Sequence, residues 1–229
     1  MARRPAPPES APFTPDCTRC PRLAAFLHDV RRKHPGYYAR AVPSFGDRQA
    51  RLLVVGLAPG LHGANATGRP FTGDHAGILL YETLHAFGFA NRPASVAASD
   101  GLLLADCRIT NAVRCVPPQN KPAGDEVRAC NDYLRQELAM LPAGAVILAL
   151  GAIAHAATLR ALGLRIRDFP FAHNRRHILP EGRRLFDSYH CSRYNTQTRR
   201  LTPGMFREVF AAIRSELDSA GAGDHVRCI

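Results

Sequence analysis

The apolar run Leu52-Leu53-Val54-Val55 breaks into a glycine-rich stretch, Gly56-Leu57-Ala58-Pro59-Gly60-Leu61-His62-Gly63-Ala64-Asn65. The stretch continues through Gly68-Arg69-Pro70-Phe71-Thr72-Gly73-Asp74. Four consecutive apolar residues with no polar alternation read as a buried strand. A glycine-rich turn at the end of such a strand lets another molecule approach the backbone closely. That combination restricts the chain to sheets with covered faces and a ligand site at the strand ends.

The rest of the chain follows the same alternation. Leu23, Phe26, Leu27 and Val30 have helical spacing, and the glycine turn leads to a helix carrying Leu79, Leu80, Leu84 and Phe87. A second strand is predicted at Cys107 to Asn111, followed by a helix with Val127, Cys130, Leu134 and Leu138 on one face. Ala145 to Leu150 reads as a third strand, Gly151 opens a helix through Leu162, and Arg184 to Tyr189 reads as a fourth strand. The last helix takes Thr202 as N-cap and Pro203 at its first position, with Phe206, Val209, Phe210, Ile213 and Leu217 facing inward. Strands alternating with helices predict an α/β fold, a doubly wound, mostly parallel four-stranded sheet with helices on both faces. In such sheets ligands bind at the carboxyl ends of the strands, so the motifs after strands one, two and four meet in one crevice. The Pro-rich residues 1–15 show no periodicity and are expected to be a flexible arm. Residues 16–219 form the single domain and 220–229 a C-terminal tail.

The chain of 229 residues carries 30 Lys and Arg against 19 Asp and Glu, a formal charge of +11. Only Lys33 and Lys121 are lysines; the surplus is nearly all arginine. An excess of this size favours polyanionic partners, nucleic acid foremost. No apolar run approaches the ~20 residues needed to span a bilayer, so no membrane association is expected. The start has no apolar signal core, which points to the cytosol, where cysteines stay reduced or bind metal.

Cys17-x-x-Cys20 has metal-ligand spacing, and Cys115 and Cys130 follow from a strand exit and a helix. Four thiolates from such elements can close around one centre, either zinc or an iron–sulfur cluster. Cys107 reads as core, and Cys191 and Cys228 are left over.

The glycine-rich motif, taken with His190-Cys191-Ser192-Arg193-Tyr194-Asn195 after the fourth strand, resembles the uracil-DNA glycosylase superfamily, most closely its type-B, family 5 enzymes. The resemblance runs from about Cys17 to the last helix. It implies a monofunctional DNA glycosylase, acting as a monomer in the bacterial cytosol or nucleoid on DNA containing deaminated bases. Those bases are uracil and hypoxanthine, with xanthine as a further member. It also implies a [4Fe-4S] cluster held by Cys17, Cys20, Cys115 and Cys130, because family 4 and family 5 enzymes place a CxxC pair and two later cysteines, separated by a proline-rich loop, in this way. The cluster is expected to be structural.

Such an enzyme takes the base out of the stack and needs a platform, groups for the base edge, a donor for the leaving base and a positioned water. Phe71 matches the phenylalanine that stacks on the flipped base. His190 matches the histidine directed at O2 of the leaving uracil, where negative charge develops. Asn195 is expected to hold the base or the water. Asn111 is placed to read the base edge, since an amide offers both a donor and an acceptor, and Asn120 is a second polar candidate. Gly56 and Ala58 belong to the base-binding wall. Other families carry Asp, Asn or Glu at the position matching Ala58 or its neighbours. Family 5 lacks it, and an aspartate matching Asp74 is the substitute base there. Asp74 equally suits the cap of the helix that follows. Arg193 and Tyr194 lie in the loop that inserts a wedge where the base has left, although Cys191 stands where typical members have proline. Arg69, Arg199 and Arg200 are expected phosphate contacts. The rival readings are a uracil-restricted family 4 type enzyme, disfavoured by Ala58-Pro59 where that family is acidic, and an iron–sulfur protein that binds damaged DNA without cutting it. A nucleotide-phosphate loop is disfavoured because the G-K-[ST] ending is missing.

Overall fold

A computed structural model describes residues 12–222. Four strands, β2 (Leu52–Gly56), β3 (Cys107–Asn111), β4 (Val146–Leu150) and β6 (Arg184–Ser188), pair in parallel. Their residues are buried almost without exception, as strands covered on both faces must be. Side chains alternate between the layers. Leu53, Val55, Ile147 and Ala149 pack on one face with α1 (Pro21–Lys33), α4 (Gly124–Ala139) and α5 (Ala152–Ala161). Leu52, Val54, Val146 and Leu148 pack on the other with α3 (His75–Ala86) and α7 (Pro203–Ala222).

The predicted parallel core is therefore present, and two short edge strands extend it. β1 (Phe45–Gly46) and β5 (Arg176–Ile178) pair antiparallel at opposite edges, giving the order β1-β3-β2-β4-β6-β5. Strands of two and three residues carry no alternation to read. The chain leaves β2 toward β3 and returns across it to β4, so the topological switch lies at the ends of β2 and β4. Two short helices, α2 (Ala64–Thr67) and α6 (Arg193–Gln197), follow β2 and β6 there.

The termini of the domain depart from expectation. Residues 1–11 of the expected arm and 223–229 of the expected tail lie outside the described residues. The arm's last residues are docked: Phe13 packs edge-on against Tyr133 at 5.3 Å, Arg114 lies 4.9 Å over its ring, and Pro15 O accepts from Ala41 N. At the other end α7 runs on to Ala222, opened as predicted by Thr202, whose Oγ1 accepts from Met205 N at 3.2 Å. One polar knot lies in the core. Glu137 of α4 accepts from Ser44 Oγ at 2.6 Å, from Arg114 at 3.0 Å and from Arg108 of β3.

Candidate active site

The site begins with a missing side chain. A Cβ on Gly56, at the end of β2, would lie 2.4 Å from Asn111 Oδ1 and 2.6 Å from the Phe71 ring. Glycine lets these two side chains meet over the strand end. Gly77 on α3 does the same for the Phe71 backbone, since a Cβ there would fall 2.0 Å from its carbonyl oxygen. Phe71 itself is held at φ +60°, a left-handed conformation costing a side chain on the order of 1–3 kcal/mol. Its ring is near-parallel to that of His190, with centroids 6.0 Å apart. Both line a cleft of about 470 Å³ together with Ala58, Asp74, Asn111 and Asn120. Asn111 Oδ1 is buried with no partner within the protein. An unpaired buried acceptor beside a cleft is a ready hydrogen-bond site for a ligand.

Asp74 stands at the N-cap of α3, but its side chain does not cap that helix. The carboxylate turns to the glycine loop and accepts from Ala64 N at 3.0 Å and from the Gly60 backbone. A Cβ on Gly60 or Gly63 would fall 2.0 Å from Asp74 Oδ1, so both glycines make room for it. Burial raises the Asp74 pKa above the usual carboxylate value, opposed by those two backbone bonds. Burial also lowers His190 to about 4, leaving a neutral ring at neutral pH.

Other expected residues fall in two groups. Arg193 and Tyr194 line the cleft mouth, with Tyr194 70% exposed, and Arg199 is exposed nearby. Arg200 is exposed and stacks over Tyr189 at 4.6 Å. Two assignments need correction. Arg69 is buried and donates to Asp100 at 2.7 Å and Ser95 at 3.0 Å, over the Phe45 ring; a guanidinium so occupied braces the loop of residues 91–104 and does not meet a phosphate. Asn195 does not line the cleft; its amide donates to His190 O at 2.8 Å and so holds the histidine's loop from behind. Sequence reasoning missed His75 and Ser192, both cleft-lining. The Ser192 hydroxyl accepts from Asn195 N as the N-cap of α6, a signal the motif's Ser-x-x-Asn spacing did carry.

A second site lies beside α1. Cys17, Cys20, Cys115 and Cys130 line one cavity with Leu23, Val113 and Tyr133. Burial pushes the Cys115 thiol up to about 12 and Cys130 up to about 11. Thiols so hard to ionise become ligands only where a cation compensates the buried charge. Cys107 is core, as expected, Cys191 is fully buried, and Cys228 lies outside the described residues.

The family model for the uracil DNA glycosylase superfamily matches residues 43–214, which spans the whole sheet. The chain belongs to the uracil-DNA glycosylase superfamily. Its similarity is strongest on the type-5 side. A type-5 uracil-DNA glycosylase of Thermus thermophilus is 50% identical over 84% of this chain and 90% of its own length. One from Pyrobaculum aerophilum is 41% identical over 85% and 86%. A type-4 uracil-DNA glycosylase of the same archaeon is 36% identical over 66% of this chain and 63% of its own. The superfamily match takes in the strand ends that carry Gly56, Asn111 and His190.

Proposed function

We propose that the protein is a DNA glycosylase that hydrolyses the N-glycosidic bond of uracil and of other deaminated bases, hypoxanthine and xanthine among them, and so begins base excision repair. The observation that carries the reading is the cleft that Phe71, the unpaired Asn111 Oδ1 and His190 line together. A flipped base stacks on the Phe71 ring, worth roughly 1–3 kcal/mol for any base. Asn111 pairs with the base edge. The neutral His190 ring donates to the base oxygen on which charge builds as the bond breaks, and a fixed donor favours that state over the ground state. Asp74 supplies the negative charge on the sugar side, either orienting water or stabilising an oxocarbenium-like sugar. Ala58 offers nothing to activate water, and its small side chain leaves room for bases larger than uracil.

The four thiols fit a [4Fe-4S] cluster better than a zinc ion. Thiolates around one zinc, each at ~2.3 Å, stand about 3.8 Å apart. Among the described residues, the only group of three or more candidate ligand atoms within 4.8 Å of one another is His155, His177 and Asp187, not the cysteines. Cys17, Cys20, Cys115 and Cys130 would hold such a cluster, and it would tie the segment before α1 to α4.

Purified holoprotein mixed with duplexes carrying U·G, U·A, hypoxanthine·T or no lesion, then treated with alkali, tests the reading. Abasic sites at uracil and hypoxanthine are expected. Cleavage at uracil alone removes the broad range, and lesion-dependent binding without cleavage removes catalysis. Asp74 is tested by pH: the wild-type rate should fall as acid protonates a carboxylate whose pKa is raised, whereas Asp74→Asn should be slow and flat across the same range. Arg199→Ala should make the slope of log K against log salt shallower by about 0.9 if Arg199 meets one phosphate. An unchanged slope removes it from the interface.

A further inference from the structure

The cluster His155, His177 and Asp187, from α5, β5 and β6, is buried and not part of the cleft. His155 Nδ1 lies 2.7 Å from Asp187 Oδ1, and its Nε2 lies 2.8 Å from the Phe169 carbonyl oxygen. His177 Nε2 approaches the other carboxylate oxygen at 3.2 Å. The Phe169 carbonyl oxygen only accepts, so His155 Nε2 donates to it and Nδ1 faces the Asp187 carboxyl. The His155–Asp187 hydrogen bond is enclosed in the protein, and Phe171 and Phe169 pack against the two histidines. A buried polar group left without its partner is unfavourable, so the pair holds its geometry firmly.

The pair anchors the segment of residues 169–177, and that segment runs beside the chain leading to His190. Asn174 N donates to Asp187 O at 2.8 Å and Asp187 N to Arg175 O at 2.9 Å. One step on, Tyr189 N donates to His173 Nδ1 at 3.2 Å, and the two rings stack at 5.0 Å. Arg200 also lies against the Tyr189 ring. The residue immediately before His190 is thus held through both its backbone and its ring.

We propose that His155, His177 and Asp187, acting through His173, are positioning residues for His190. The buried hydrogen-bonded cluster fixes the 169–177 segment, and the segment fixes the peptide that aims the His190 ring. This inference rests on the role given to His190 above. None of these four side chains lines the cleft; they act through what they hold.

Holoprotein labelled with ¹⁵N-histidine is the material for the test. Long-range ¹H–¹⁵N spectra at pH 7.5 should show one nitrogen of His190 bare. In His173→Leu the His190 ring signals should shift, and single-turnover uracil excision should slow on the order of 100-fold, the effect of a misplacement of about 1 Å. Binding to abasic-site DNA should stay unchanged. His173→Gln, which returns an acceptor to Tyr189 N, should restore much of the rate, a recovery that a packing role alone would not give. His155→Leu should move the same His190 signals, and should it fail to fold, the His173 pair still decides. His190 signals unmoved in His173→Leu overturn the proposal. Because the spectra need no substrate, they read the assembly even where the wild-type protein cuts no DNA, an outcome that would refute the glycosylase reading alone.

Discussion

Replacing His190 by alanine will slow single-turnover excision of uracil by about 10²–10³-fold, the usual effect of deleting one donor to a developing oxyanion. Binding of lesion DNA will change far less, because Phe71 and Asn111 still receive the base. The size of the effect follows from the ring's surroundings. Burial lowers its pKa to about 4, so the ring stays neutral over the working range and gives an N–H without the desolvation cost of a buried cation. The same shift has a stability consequence at acid pH. Between the ordinary histidine value of 6.5 and the folded value near 4, the unfolded chain binds a proton that the folded chain refuses. Stability therefore falls as pH drops through that window. His190→Ala abolishes this contribution, so the variant should lose less stability than wild type between pH 7 and pH 5. Rapid-quench excision assays and urea midpoints at both pH values check the two halves. A variant within a few-fold of the wild-type rate would return the leaving-group role to another side chain.

Glu137→Ala should destabilise the protein by about 3–5 kcal/mol, the range for removing one partner of a buried ion pair. The carboxylate accepts from Ser44, Arg108 and Arg114, and the two guanidinium groups are themselves buried. Alanine leaves two buried cations facing each other across a void. Burial alone would push the Glu137 carboxyl up, but Arg108 and Arg114 overcome it and hold the group below the usual glutamate value. Its contribution is therefore complete above the unfolded carboxylate value of about 4.5 and is lost as pH falls through the lower folded value. Urea unfolding of the holoprotein at pH 7 should show a lower midpoint with an unchanged slope. A midpoint equal to wild type would mean that water replaces the carboxylate.

The parallel strands were legible because burial on both faces writes a continuous apolar run, as in Leu52–Val55. The edge strands β1 and β5 were not, since two or three residues write no period. That Phe71, Asp74, Asn111 and His190 share one cleft was legible because each belongs to a motif that follows a strand, and the fold brings the strand ends together. Arg69 was misread for a related reason: its partner Asp100 lies 31 positions away, and nothing local tells a braced arginine from a free one. Asn195 is nearer the truth in sequence than in role, since it stands in the correct loop but faces the His190 carbonyl. His155 and Asp187 are 32 positions apart, and their pairing exists only in the fold.

The glycines around the cleft divide into two kinds of mutational tolerance. At Gly77 an added methyl meets backbone, the Phe71 carbonyl oxygen, which has nowhere to go. At Gly60 and Gly63 the nearest atoms it meets belong to the Asp74 side chain, which can swing aside. A library randomised at the three positions and sorted first for folding should keep glycine at 77 alone. Sorted again for excision, it should recover glycine at 60 and 63 as well. Drift at those two positions would yield proteins that fold and carry the thiol site but have lost the carboxylate, a route by which a glycosylase of this kind decays into a lesion-binding protein.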